Sequence, residues 1–325
     1  METVTNIEWS WGWYAGFAAF VLAALVVDLV VLDKKAGQKV TVKEAIIWSL
    51  IWFSLSFVFA GGLWWHLEGT VGRELANLKT TEFLTGYLIE KSLSVDNIFV
   101  FLMVFTYFAI PAEYQRRALV LGVIGAIVLR VIMILVGAWL ITKFHWILYL
   151  FGLFLLATGV KMLIFADQKP DLEKNPVLKW MRGHLKITSG LHGEQLTVMK
   201  DGVKWFTPMF VVLVLIGVTD VVFAVDSIPA IFAITSDPFI VLTSNIFAIL
   251  GLRALYFLLA DMADRFHLLS YGLALVLIFV GVKMLIVDFW KIPVFMSLGV
   301  VGLILATAIT VSLIVPKKAE TPANQ

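Results

Sequence analysis

Two carboxylates, Glu90 and Asp96, interrupt the apolar run GYLIEKSLSVDNIFVF at 86–101, and the same six-residue spacing returns as Asp220 and Asp226 in GVTDVVFAVDSIPAI at 217–231. A carboxylate at the centre of a membrane helix costs about 2.5–3.5 kcal/mol on insertion scales. Four of them cost on the order of 10 kcal/mol together unless something neutralises them. A bound cation is the direct remedy. The donors on offer are all oxygen: Glu90, Asp96, Asp220 and Asp226, with Asn97, Ser227 and backbone carbonyls as additions. Such a set suits a hard divalent ion, Mn²⁺, Ca²⁺ or Mg²⁺. Neither acidic run contains histidine, which counts against Zn²⁺ and Ni²⁺, and the absence of cysteine excludes thiolate sites and disulfides. Exchange of metal for protons is the expected coupling.

Geometry constrains how the acids meet. Six residues advance a helix by about 9 Å and turn it by about 240° net, so the two acids of one run do not share a face of a regular helix. Either the helix breaks between them or each acid faces a different neighbour. Pro229, which cannot donate to the carbonyl of Val225, and Gly217 with Thr219 favour a break in the second run. Ser92, Ser94 and Asn97 supply further oxygens in the first. The competing structural reading pairs Glu90 and Asp220 with Arg130 and Arg253, which then act as charge balancers, or alternatively as gate residues. Lys161 and Lys283 lie near helix ends and are expected to snorkel. His145 and His267 read as interface residues, His66 as a boundary residue, and His184 and His192 as part of a solvated loop.

The elements that must position these groups are membrane helices. Apolar residues make up 61% of the 325 and charged residues 15%, with mean hydropathy +0.95. The fold class is therefore all-α, a polytopic transmembrane bundle forming one domain over 1–325. Nine apolar runs approach the length of a span: 13–32, 46–65, 83–108, 119–141, 146–165, 210–233, 239–260, 268–287 and 294–315. The N-terminus lacks a basic region and a cleavage site, so the first run reads as a retained helix. The polar stretch 166–208 reads as a cytoplasmic loop. Alternate loops place sixteen lysines and arginines on one side against four on the other, which puts the N-terminus outside and the C-terminus in the cytoplasm. Trp9, Trp11, Trp13, Trp64, Trp65 and Trp146 fall at outer ends, as an aromatic belt would.

An internal repeat organises the bundle. FHWILYLFGLFLLATGVKMLI from Phe144 matches FHLLSYGLALVLIFVGVKMLI from Phe266, sharing GVKMLI whole, and Leu129-Arg130 matches Leu252-Arg253 upstream. Repeat one occupies 83–165 and repeat two 209–287, with additional helices in 1–82 and 288–325. Three helices per copy is an odd number, so the second copy enters the membrane inverted, and transporters often place a polar site where such copies meet.

EKSLSVDNIFVF and DVVFAVDSIPAIFAIT closely resemble the signatures of the TerC family of integral membrane proteins, and the Trp-rich N-terminus and long central loop look most like its Alx-type bacterial members. The resemblance covers nearly the whole chain. It implies a multi-pass inner-membrane protein of a family named for tellurite resistance, linked to manganese efflux and to supplying metal to exported enzymes. It also implies that the family's acidic positions fall on Glu90, Asp96, Asp220 and Asp226. Manganese is thus expected as transported ligand, with no permanently bound cofactor. The alternative is a membrane partner protein that senses metal or delivers it to exported enzymes at a translocon, with a secretion-machinery partner. Nucleic acid is not an expected partner. Nor is an enzyme expected: Tyr87 is followed by Leu88 where an intramembrane aspartyl protease needs Tyr-Asp, and neither HExxH nor GxSG occurs.

Overall fold

The computed structural model describes residues 7, 9–33, 41–144, 146–164, 172–200, 202–260 and 268–315, with backbone alone at 28–33, 96 and 99. Eleven α-helices and one two-stranded hairpin form among them. A helix stands at each of the nine apolar runs: α1 (Trp11–Asp33), α2 (Val42–Val71), α3 (Arg73–Tyr107), α4 (Ala112–Lys143), α5 (Ile147–Ile164), α7 (Pro208–Phe232), the pair α8 (Pro238–Leu250) and α9 (Leu252–Ala260), α10 (Leu269–Leu285) and α11 (Val294–Ile314). By length and composition five of them are apolar enough to cross a bilayer, six if α8 and α9 are one span. α3 is long enough, at 35 residues, but carries too many charges to read as purely lipid-facing.

Local signals set the boundaries. Gly72 adopts φ +93° between α2 and α3, a left-handed conformation that glycine takes at little cost. Asp237 caps α8 by accepting from the backbone N–H of Phe239 at 3.1 Å and Ile240 at 3.4 Å, with Pro238 at the first helical position. Pro111, Pro208 and Pro293 likewise stand at the starts of α4, α7 and α11.

The break falls elsewhere than expected. α7 runs continuously through Pro229, which lies within a turn of its C-terminal end, where the lost hydrogen bond leaves little helix to unseat. The discontinuous span is α8–α9, bent by 40° at Gly251. The polar stretch after α5 is also more than a loop. It folds a 3₁₀ turn (Leu172–Lys174), α6 (Pro176–His184) and the antiparallel strands β1 (Thr197–Lys200) and β2 (Val203–Phe206). Arg117 at the start of α4 ties this module down through Glu194 at 2.8 Å.

α5 and α10 pack on each other more extensively than any other helix pair, and their contact is reciprocal. A Cβ on Gly159 would lie 2.9 Å from both Ala274 O and Ile278 N; one on Gly281 would lie 2.8 Å from Gly152 O and 2.7 Å from Leu156 N. Shifting either set by the repeat offset gives the other. Rising numbers on α5 meet falling numbers on α10, so the helices run antiparallel. A contact that is the same from both sides has a local two-fold axis, here perpendicular to the helices. α3 packs on α8 and α4 on α7.

Because backbone atoms press on Gly159 and Gly281, Gly281→Ala and Gly159→Ala should each lose about 1–3 kcal/mol of stability. Gly61→Ala and Gly125→Ala, whose new Cβ would meet nothing within 4 Å, should lose none. Thermal unfolding of the detergent-solubilised protein checks both.

Candidate functional site

Glu90 and Asp220 each occupy the middle of their helix, α3 and α7, and the Arg130 guanidinium of α4 joins them. One Arg130 nitrogen donates to Glu90 Oε1, to Asn245 Oδ1 of α8 at 2.9 Å and to Ser227 Oγ of α7 at 3.3 Å; the other donates to Asp220 Oδ1 at 3.3 Å. Ser94, one turn along α3, donates to Glu90 Oε1 at 3.5 Å. Glu90 is 0% exposed and Arg130 1%. The structure thus gives the ion-paired arrangement for Glu90 and Asp220, with Arg130 as the charge balancer.

The pairing is incomplete. Two carboxylates face one guanidinium, all three groups buried, which leaves an excess of acid over base. Glu90 Oε2, Asp220 Oδ2 and Asn97 Oδ1 are buried and make no hydrogen bond among the described residues. Asn97 lies on the same α3 face as Glu90 and Ser94, since steps of four and three residues keep one face of a helix. Such lone oxygens are costly without a partner.

The other expected ligands lie apart or beyond view. Asp226 is turned toward α5, where Thr158 and Lys161 lie beside it. The side chain of Asp96 falls outside the described residues, as do His145 and His267. No group of three His, Asp or Glu side chains that could hold a metal forms among the described residues; the carboxylates brought together are two. Arg253 is buried at the start of α9, just past the break. Lys283 does not snorkel. It is buried and donates to Ser297 Oγ at 2.9 Å.

Sequence reasoning missed Lys91. Its ammonium reaches the break in α8–α9 and donates to the Ala248 carbonyl at 3.1 Å, which a continuous helix would have satisfied. The signal was Gly251 inside an apolar run. A second buried charge group, Lys79, Glu82 and Asp237, was also missed.

The family model described as "Integral membrane protein TerC family" matches residues 75–320. The chain belongs to the TerC family. A relative from Escherichia coli K12 named "Putative membrane-bound redox modulator Alx" is 55% identical over 300 residues, covering 92% of each chain. Its namesake from Photorhabdus laumondii is 53% identical over 311 residues, covering 96% of each. An uncharacterized membrane protein from Myxococcus xanthus is 46% identical over 321 residues, covering 99% of this chain and 98% of its own. No solved structure matches the chain. The resemblance read from the two acidic motifs is therefore confirmed at the level of family.

Removing the guanidinium strands two buried carboxylates. Arg130→Met should cost about 3–5 kcal/mol, read as a lower unfolding temperature in detergent. Adding Glu90→Gln to that variant should restore part of the loss, because it removes one stranded charge.

Proposed function

We propose that this chain transports a hard divalent cation across the membrane, passing it between Glu90 and Asp220. The carrying observation is the pair of buried, unpartnered carboxylate oxygens, Glu90 Oε2 and Asp220 Oδ2, beside a single balancing arginine. A divalent ion supplies the missing positive charge and takes up both oxygens, with Asn97 Oδ1 and Ser227 as further donors. Asp96 and Asp226 serve the same route on the family resemblance, which also places manganese ahead of calcium and magnesium. Protons are the natural counter-cargo for a site that must release a divalent ion without keeping bare charges in a dry interior. The reading assigns no covalent chemistry and no resident cofactor.

The reciprocal α5–α10 contact supports two inverted copies meeting at this site. The basic bias of the loops supports a cytoplasmic C-terminus, and an outward direction of transport rests on the family resemblance. Relatives carry the name of redox modulator. The sequence holds no cysteine, so a redox role here would run through the cation pool and not through thiol exchange. A second reading, docking to a secretion-machinery partner, draws on the folded module after α5, whose Trp180 is 57% exposed.

In cells lacking the protein and loaded with manganese, the wild-type chain should lower metal content. Glu90→Gln, Asp220→Asn and Asp226→Asn should fail to do so at equal membrane abundance. A Glu90→Gln chain that lowers manganese like the wild type would overturn the reading. Wild-type protein without effect on manganese content would favour the docking reading.

A further inference from the structure

α3 carries more than its share of the central site. Lys79, Glu82, Gly86, Glu90, Ser94 and Asn97 follow one another at steps of three, four, four, four and three residues, so they form one stripe along the helix. All six are buried. The facing groups are polar too. Thr235 and Asp237 lie opposite Glu82 and Lys79, Ser244 lies opposite Gly86, and Asn245 belongs to the Arg130 cluster at Glu90. A buried polar track thus leads from Glu90 toward the end of the bundle where α2 meets α3 and α7 meets α8. Glu82 is roughly 12 Å from Glu90 along the helix.

That end is shut by charge. Lys79 Nζ stands 3.0 Å from Glu82 Oε2 and 3.3 Å from Asp237 Oδ2. The Thr235 hydroxyl donates to Glu82 at 2.6 Å. The Trp9 indole donates to both Asp237 oxygens, at 2.9 and 3.0 Å, and its ring stacks on Phe239 at 4.4 Å between centroids. From α10, Lys283 faces Glu82. Two ammonium groups here meet two carboxylates, so the closure is neutral where the central site is negative. A divalent cation is attracted to the negative centre and finds no net attraction in the neutral closure beyond it. Apolar side chains hold helices together as well as a buried ion pair does, and often better. An ionic closure has one property they lack: once wetted, its charges separate easily.

We infer that Lys79, clamped between Glu82 and Asp237, is the gate residue that closes this end of the polar track. The inference rests on the transport reading above and names the residue that must move for the cation to leave.

The absence of cysteine makes the test clean. Ser244→Cys supplies a single thiol facing Gly86, behind the closure. In right-side-out and inverted vesicles, a membrane-impermeant cationic thiol reagent should label it slowly from either face. Lys79→Met should speed labelling at least tenfold from the face bearing the α2–α3 turn, and Lys79→Arg should keep it slow. Asp237→Asn keeps an N-cap acceptor for α8 while removing a clamp charge, so it should also speed labelling in a chain that still folds. Unchanged rates in Lys79→Met and Asp237→Asn proteins of normal gel-filtration profile would overturn the gate. Labelling needs no manganese. A failed transport assay therefore leaves the gate standing, and an unchanged rate removes the gate without touching the central site.

Discussion

A carboxylate in a dry interior must be answered by positive charge or by hydrogen bonds, and here the answer is only half supplied. Arg130 satisfies one oxygen of Glu90 and one of Asp220. The second oxygen of each has no partner among the described residues. Two acids against one base, both carboxylates at mid-helix, is a costly arrangement for a structural ion pair. It is a fitting one for a site that a divalent cation visits and leaves.

The rest of the fold brings these groups together. Four helices converge on the cluster: α3 with Glu90 and Ser94, α4 with Arg130, α7 with Asp220 and Ser227, and α8 with Asn245. The reciprocal α5–α10 seam packs beside them. Its glycines let backbones approach so closely that neither helix can slide, which is how membrane helices associate without a hydrophobic driving force between them. Lys91 caps the carbonyl end of α8 at the Gly251 break, one turn from Asn245, and so steadies the residue that holds Arg130 from the far side.

Much of this was legible in the sequence, because acids inside apolar runs stand out and because the repeat names their counterparts. Glu90, Asp220 and Arg130 stand out that way, and each of the nine apolar runs forms helix. What stayed hidden depends on partners far apart in the chain. Lys79 and Asp237 are 3.3 Å apart, yet nothing local announces that they meet. Lys283 looked like a helix-end lysine free to reach the interface, whereas α11 supplies Ser297 to hold it inside. Trp9 reads as a belt residue but turns inward to Asp237. Pro229 drew attention as a helix breaker, though near a C-terminus it breaks little. Gly251, the residue at which the span does bend, has no such reputation. Asp226 shows the limit of spacing arguments. The 240° turn from Asp220 allowed either a break or a different neighbour, and Pro229 pointed to the break; α7 is continuous, and α5 is the neighbour.

The central claim is that the oxygens left over by Arg130 belong to a metal ion. Crystals of the purified protein loaded with manganese, with the ion located by anomalous X-ray scattering, test it most directly. The account predicts a single ion within about 2.0–2.6 Å of Glu90 Oε2 and Asp220 Oδ2, the range of hard-cation oxygen ligation, absent from the Glu90→Gln protein. A manganese-loaded structure with no ion between those two carboxylates would contradict it.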